Sequence, residues 1–255
     1  RQLGKALFNA QGRGLVLSES GRLALGYADQ IFQLGDALVD AVQNTDTAST
    51  LRLRAGISDG IPKLLAYRLL SLVTSMPVDV RLICDEGEFE DLLADLALHR
   101  LDVVLTDRAA PVGGNLKVFS THLGDFETGL FGTPALVDRY QSGFPQSLSG
   151  APLLLPTRHN ALRGRIEHWL EEAGIRPKIV GEFEDSALLN TFGRGGLGLF
   201  PAPLALSEQI ASQLDARPLG AMKGVSEQIY AISNERRIRH PAIEVLCAAA
   251  PKIAL

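Results

Sequence analysis

The sequence predicts an α/β protein, and three observations carry that expectation. Beyond residue 50, short runs rich in Leu, Val and Ile alternate with amphipathic stretches long enough for helices. The first such series, residues 51–107, has the order βαβαβ, which implies a parallel sheet with right-handed crossovers. Ahead of it, Tyr27, Ile31, Leu34, Leu38 and Ala41 are spaced 4, 3, 4 and 3, a heptad seam on one long helix.

The elements follow in order. Residues 3–8 read as a helix end, Gln11-Gly12-Arg13-Gly14 as a turn whose glycines supply positive φ, and 15–17 as a short strand. Ser18 or Ser20 then caps a long helix over 18–44, and the small polar residues 45–50 form a hinge. Strands are expected at 51–57, 78–84 and 102–107. They alternate with helices at 62–75, where Pro62 suits a first turn, and at 88–99, where Leu92, Leu93 and Leu96 share a face. After Pro111-Val112-Gly113-Gly114 the pattern changes. Strands are expected near 117–121 and 127–131, then a helix at 134–140, a strand at 153–155 and a helix at 161–173 ended by Gly174. A strand at 178–183, a helix at 185–194, a buried strand at 198–200 and a helix at 202–210 come next. A strand at 228–233 and a closing helix at 241–249 complete the chain.

Composition narrows the class. The 255 residues are 46% hydrophobic and 21% charged with net charge −4, and the mean hydropathy of +0.11 suits a protein with a sizeable core. No run approaches the ~18 apolar residues of a membrane span. No apolar leader follows Arg1-Gln2, and no initiator Met stands there, so the chain reads as a fragment or processed product of a cytoplasmic protein. Cys84 and Cys247 lie in apolar stretches and read as reduced, buried thiols rather than a disulfide. The acidic balance gives most of the chain no nucleic-acid footprint. The exception is the start, where Arg1, Lys5, Arg13 and Arg22 face only Glu19.

Chemistry-bearing motifs are few. Gly193-Arg194-Gly195-Gly196-Leu197-Gly198 satisfies G-x-G-x-x-G, but it follows a helix and opens a strand, the reverse of a dinucleotide site. It reads as a helix end packed closely on the next element. His122, His159 and His168 show no metal-ligand spacing, and no nucleophile signature surrounds the serines. The expectation is no cofactor, no metal and no catalysis.

The segment Leu3-Gly4, Leu7-Phe8, Arg13 and Leu17-Ser18-Glu19-Ser20-Gly21 resembles the wing and linker helix of LysR-type transcriptional regulators. The runs Leu101-Asp102-Val103-Val104-Leu105 and Gly195-Gly196-Leu197-Gly198-Leu199-Phe200-Pro201 are similar to that family's regulatory domain. The Gly-Arg-Gly-Leu wing, with Gly181-Glu182-Phe183-Glu184-Asp185, looks most like the sodium/proton antiporter activator subgroup. Ala10 departs from the family, which usually has Arg there. The helix-turn-helix would precede Arg1. The resemblance implies a winged-helix remnant (1–17), a dimerising linker helix (18–44), a hinge (45–50) and an effector-binding domain (51–255) like a type-2 periplasmic binding protein. Lobe I would be 51–107 with 220–255, and lobe II 108–219. The implied partners are DNA, through the absent helix-turn-helix and a wing with Arg13 at the phosphate backbone, and a second copy of the chain. Tyr27, Ile31, Leu34 and Leu38 would pair the dimer, and two dimers a homotetramer. No membrane partner is expected.

In open α/β sheets ligands bind beyond the carboxyl ends of strands. Those positions are Ser58, Asp59, Thr106, Asp107, Phe131, Thr133, Thr157, Arg158, His159, Asp185, Ser186, Phe200 and Pro201, the expected effector residues. Several acids stand among them. Asp59 and Asp185 also suit plain N-caps. As a functional set the acids favour a monovalent cation, a proton-linked change or a polar neutral molecule, whereas Arg158 and His159 suit an anion. A solute-binding receptor of the same fold stays as an alternative, as does a small-ligand deaminase or dehydratase.

Overall fold

In the computed structural model, residues 4–11, 14–43, 50–111, 118–234 and 240–249 are described. Arg13 and residues 45–49 of the expected hinge lie outside them, and Leu34 and Leu38 are described as backbone only.

A small hairpin opens the structure: β1 (Phe8–Gln11) pairs antiparallel with β2 (Gly14–Leu17), Phe8 opposite Leu17. Phe8, expected at a helix end, is therefore strand, because the Leu15-Val16-Leu17 run takes its ladder partner from this segment. Ser18 is the cap of α1 (Glu19–Gln43). Its hydroxyl accepts from the Gly21 amide at 2.9 Å and donates to the Ala6 carbonyl at 2.7 Å. Gly21 has no room for a side chain, since a Cβ would stand 1.9 Å from the Leu7 carbonyl oxygen. One turn on, Gly26 is buried beside Leu98, while Leu23, Leu25, Tyr27, Ile31 and Phe32 are exposed.

The main sheet is mixed, in the order β4-β3-β5-β10-β6-β9. Its first part is the expected parallel unit. β3 (Leu51–Ser58) runs parallel to both β4 (Val80–Gly87) and β5 (Val103–Thr106), with α2 (Lys63–Thr74) and α3 (Phe89–Ala97) as crossovers. Leu53, Leu65 and Leu69 pack on α8 (Pro241–Ala249) through Leu246. Leu92, Leu96 and Val104 form a core on the other face.

Two long strands then pass through both halves of the molecule. β6 (Val118–Gly132) and β10 (Arg217–Asn234) are antiparallel partners, Asn234 opposite Val118 and Arg217 opposite Gly132. The two strands expected near 117–121 and 127–131 are thus one. Gly124 and Asp125 interrupt the apolar pattern but stay in the ladder, opposite Ile229 and Gln228. β10 likewise begins before the expected 228, because its irregularity between Ala221 and Ser226 hides the strand from a periodicity reading.

The second lobe is built on these strands. β9 (Phe200–Pro203) pairs with β6, and β7 (Pro152–Pro156) pairs parallel with β8 (Lys178–Phe183). Around them stand α4 (Pro134–Tyr140), α5 (Ala161–Glu172), α6 (Ser186–Arg194) and α7 (Ser207–Leu214). The helix expected from 202 starts later because Pro201 and Pro203 hold an extended strand. Leu130, Leu155, Ile166 and Met222 form this lobe's core. The Gly193–Gly198 run packs α6 on the next strand. A Cβ at Gly193 would stand 2.2 Å from the Phe200 ring, and Gly196 has φ +78°. Cys84 is exposed rather than buried, since β4 is an edge strand; partial desolvation by its neighbours, then the charges of Asp85 and Glu86, raise its thiol pKa.

Candidate functional site

The cleft between the lobes is bounded by the strand-to-helix junctions, as an α/β sheet dictates. Several polar links cross it. Asn160 Nδ2 donates to the Gly60 carbonyl at 3.3 Å, and Asp107 Oδ2 accepts from the Ala161 amide at 2.7 Å. Ser186 Oγ donates to the Ile61 carbonyl at 3.2 Å, and Lys63 Nζ lies 3.6 Å from Asp185. Gly60 has to be glycine for this approach, since a Cβ there would stand 2.5 Å from Asn160 Nδ2.

The cleft holds two cavities. The outer one, about 400 Å³, is polar and lined by Ser58, Asp59, Glu88, Asp107, Thr157 and His159, with Arg158 and Glu184 beside them. The inner one, about 240 Å³, has largely apolar walls from Pro62, Phe183, Leu189, Pro201, Leu206 and Ile210. Ser186, Lys63, Asn160 and Glu227 also reach it.

Electrostatics at the mouth are set by crowded acids. Glu88 begins α3, and the charge of Glu184 together with a hydrogen bond between the two holds its carboxyl above the usual range. His159 Nδ1 lies 3.2 Å from Glu184 Oε1. Arg108 donates to the His159 carbonyl and pairs with Asp107 at 3.0 Å, fixing that loop against the first lobe. Glu88, His159 and Glu184 offer donor atoms within 4.8 Å of one another, a set that could hold a metal ion, though all three are exposed. Asp59 is raised first by burial, opposed by Lys63, then by Asp185, Glu86 and Glu184. It caps no helix: Pro62 stands at the start of α2 without a side-chain cap. Asp185 does cap α6, accepting from the Leu188 amide at 2.6 Å.

Behind the mouth, Arg163 is buried on α5. It pairs with Glu167 at 2.7 Å and Glu182 at 2.5 Å and donates to the Pro156 carbonyl, tying α5 to β7 and β8. At the floor, Glu227 lies on β10, buried on the face it shares with Val225, Ile229 and Ala231. Burial above all, then the charge of Asp107, pushes its carboxyl up to about 8 against a partial counter-effect from Arg165.

The structure gathers some expected residues and separates others. Ser58, Asp59, Asp107, Thr157, Arg158 and His159 line the outer cavity, and Ser186 and Pro201 the inner one. Thr106, Phe131, Thr133, Asp185 and Phe200 line neither. Thr106 is fully buried, its hydroxyl 3.4 Å from Asp107. Phe131 and Phe200 are register partners across β6 and β9 that stack in the core with centroids 6.0 Å apart. Thr133 lies at the start of α4 beside Gly196. Arg158 and His159 stand against Glu167 and Glu184 rather than forming an open anion site. Lys63, Glu88, Asn160 and Glu227 were outside the expected set. Glu227 had a readable signal, an acid at the apolar parity just ahead of the expected strand at 228–233, within a strand that in fact starts at Arg217.

The LysR substrate binding domain matches residues 47–252. The chain belongs to the LysR family of transcriptional regulators. This LysR protein is 31% identical over 241 residues to the transcriptional activator protein NhaR of Escherichia coli K12, covering 94% of the chain and 79% of that protein. It is 28% identical over 202 residues to the HTH-type transcriptional regulator CzcR of Bacillus anthracis, covering 78% of the chain and 66% of that protein. The NhaR match agrees with the activator subgroup that the wing and the 181–185 segment resemble. Among solved structures, a Corynebacterium glutamicum OxyR C206 mutant superposes with TM-score 0.59 at 16% identity, covering 98% of this chain and 79% of that one. CbnR, a LysR family transcriptional regulator, does so with TM-score 0.61 at 18% identity, covering 98% and 86%. Those two likenesses show the α/β fold of the LysR regulatory domains. The relatives are regulators rather than enzymes. No helix among the described residues is long and apolar enough to cross a membrane.

Proposed function

We propose that this chain is the sensing and dimerising part of a cytoplasmic, DNA-binding transcription activator. A small molecule or monovalent cation enters the interlobe cleft and biases how the lobes or subunits are arranged. The linker helices pass that bias to DNA-binding heads that precede Arg1. The observation that carries the reading is the cleft itself: two cavities beside the polar links between the lobes, so that a guest touching both lobes acts on their apposition. To move a 1:99 population to 99:1 the effector has to prefer one arrangement by about 5.5 kcal/mol. The effector residues are Ser58, Asp59, Asp107, Thr157, Arg158, His159, Asp185 and Ser186, with Arg13 on the DNA backbone and Tyr27, Ile31, Leu34 and Leu38 between paired chains.

Exposure of Tyr27, Ile31 and Phe32 on one chain supports the pairing. Burying each such side chain is worth about 1.5–3 kcal/mol. A pair of dimers would make the homotetramer. Gel retardation of the DNA upstream of the gene, with protein that includes the segment before Arg1, tests the reading. Sequence-specific retardation is expected, and its absence overturns the regulator. In sedimentation, Ile31→Asp is expected to shift the chain toward monomer. An unchanged mass would remove the linker helix as the dimer contact.

A further inference from the structure

The polar groups around the inner cavity are mostly committed to the protein itself. Asn160 bonds the Gly60 carbonyl and the Leu162 amide, and Ser186 and Thr191 donate to backbone carbonyls. Lys63 is held between Glu86, at 2.8 Å, and Asp185. Glu227 is the contrast. Its carboxyl is buried on the cavity wall, and among the described residues no hydrogen bond or ion pair reaches it. The charged groups facing it are Asp107, at the end of β5, and Arg165, on α5. Asp107 already accepts from Ala161 and pairs with Arg108. Arg165 is spent on the Ser226 carbonyl and Gln228 Oε1.

A buried carboxyl without a counter-ion needs either a proton or a cation. Of the remaining lining, Pro62, Leu189, Leu206, Ile210 and Pro201 are apolar, and Glu184, Asn190 and Gln213 are polar. Walls with this apolar share suit a cation that carries hydrocarbon better than a hard metal ion, which takes six or so oxygens. An anion would meet the Glu227 carboxyl with Asp107 behind it. The space, about 240 Å³, is below the ~300 Å³ at which drug-sized pockets begin, so the guest is small. We propose that the inner cavity binds a small organic ammonium, its charged nitrogen on the Glu227 carboxylate and its hydrocarbon part against Leu189, Leu206 and Ile210. This deepens, and rests on, the reading of the cleft as the effector site.

The proton has a definite fate. Below about pH 8 the empty site holds Glu227 protonated, and an ammonium binds the ionised form, so binding releases that proton. The ionised fraction rises from about one in eleven at pH 7 to about ten in eleven at pH 9, while an alkylammonium with a pKa near the ~10.4 of Lys stays charged. Affinity is therefore expected to rise about tenfold over that interval.

Titration calorimetry of the 255-residue chain, in buffers free of primary amines, tests this with isopentylammonium chloride, sodium isovalerate and isopentanol as probes. Saturable binding of the ammonium alone, about tenfold tighter at pH 9 than at pH 7, is expected. Glu227→Gln keeps the shape of the side chain, and a thermal scan checks that the variant folds. It is expected to weaken ammonium binding at least tenfold and to abolish the pH dependence. Ammonium binding that ignores pH or Glu227→Gln overturns the proposal. Binding of isovalerate or isopentanol in place of the ammonium also overturns it, yet leaves the cleft as a small-molecule site. Binding of none of the three overturns both the proposal and the inner cavity's part in the effector reading.

Discussion

At the mouth of the cleft Glu88 and Glu184 stand close together in solvent, and the charge of Glu184 raises the Glu88 carboxyl. At the floor Glu227 is raised much further, and the largest cause is burial. The mouth manages its acids with His159, Arg108 and Lys63, all on partly exposed pairs that water screens. At the floor the carboxyl is buried, and the charge of Arg165 offsets only part of the effect of burial. Crowding in water shifts a proton slightly at little cost to the fold. Burial makes the proton part of the fold.

Breaking that contrast starts with Glu227→Gln. In the native protein Glu227 keeps its proton up to about 8, against an ordinary value of 4.5. Between those values the folded chain binds a proton that the unfolded chain has lost. Stability is therefore greatest below the lower value, falls as pH rises through the window and levels above the upper one. The loss is roughly 4–5 kcal/mol. Glu227→Gln is expected to remove that slope, read as urea midpoints at pH 5 and pH 8. Next in size is Arg163→Met. This buried ion has partners, so removing it strands Glu167, Glu182 and the Pro156 carbonyl. A loss of about 2–3 kcal/mol is expected from the urea midpoint at pH 7. A buried charge with partners is lost at a cost, and one without them is removed with a gain.

Asp107→Asn sharpens the comparison. An amide oxygen still accepts from Ala161, but the repulsion on Glu227 goes. The upper end of the pH window is expected to move down by up to about one unit, read from the same stability profile. The smallest effect belongs to the mouth. Glu184→Gln is expected to change stability by no more than about 1 kcal/mol. The Glu88 carboxyl should fall back toward its usual range, followed by carbon-detected NMR titration.

Much of the fold was legible because periodicity and boundary chemistry agreed. The helix at Pro134–Tyr140, the strand at Lys178–Phe183 and the closing helix at Pro241–Ala249 were placed as found. The long strands were not, because Gly124 and the irregularity at Ala221–Ser226 break the apolar alternation while the ladder continues through pairing that no local pattern records. The cleft was legible in outline, since strand ends define it. Phe131 and Phe200 show the limit of that rule: they stand at strand ends, yet their side chains turn into the core. Glu227 shows the converse. It sits within a strand rather than at its end, and only the passage of β10 between the lobes carries it to the cavity.

The Asp107 bond to the Ala161 amide links the first lobe to the first turn of a helix in the second. Within α5 the Asn160 side chain accepts from the Leu162 amide, so the Ala161 amide depends on a residue 54 positions away. Parting the lobes and freeing the first amide of α5 are consequently one event. Deuterium uptake at the Ala161 amide is therefore a native gauge of lobe separation, present without any label and readable while the cleft is titrated.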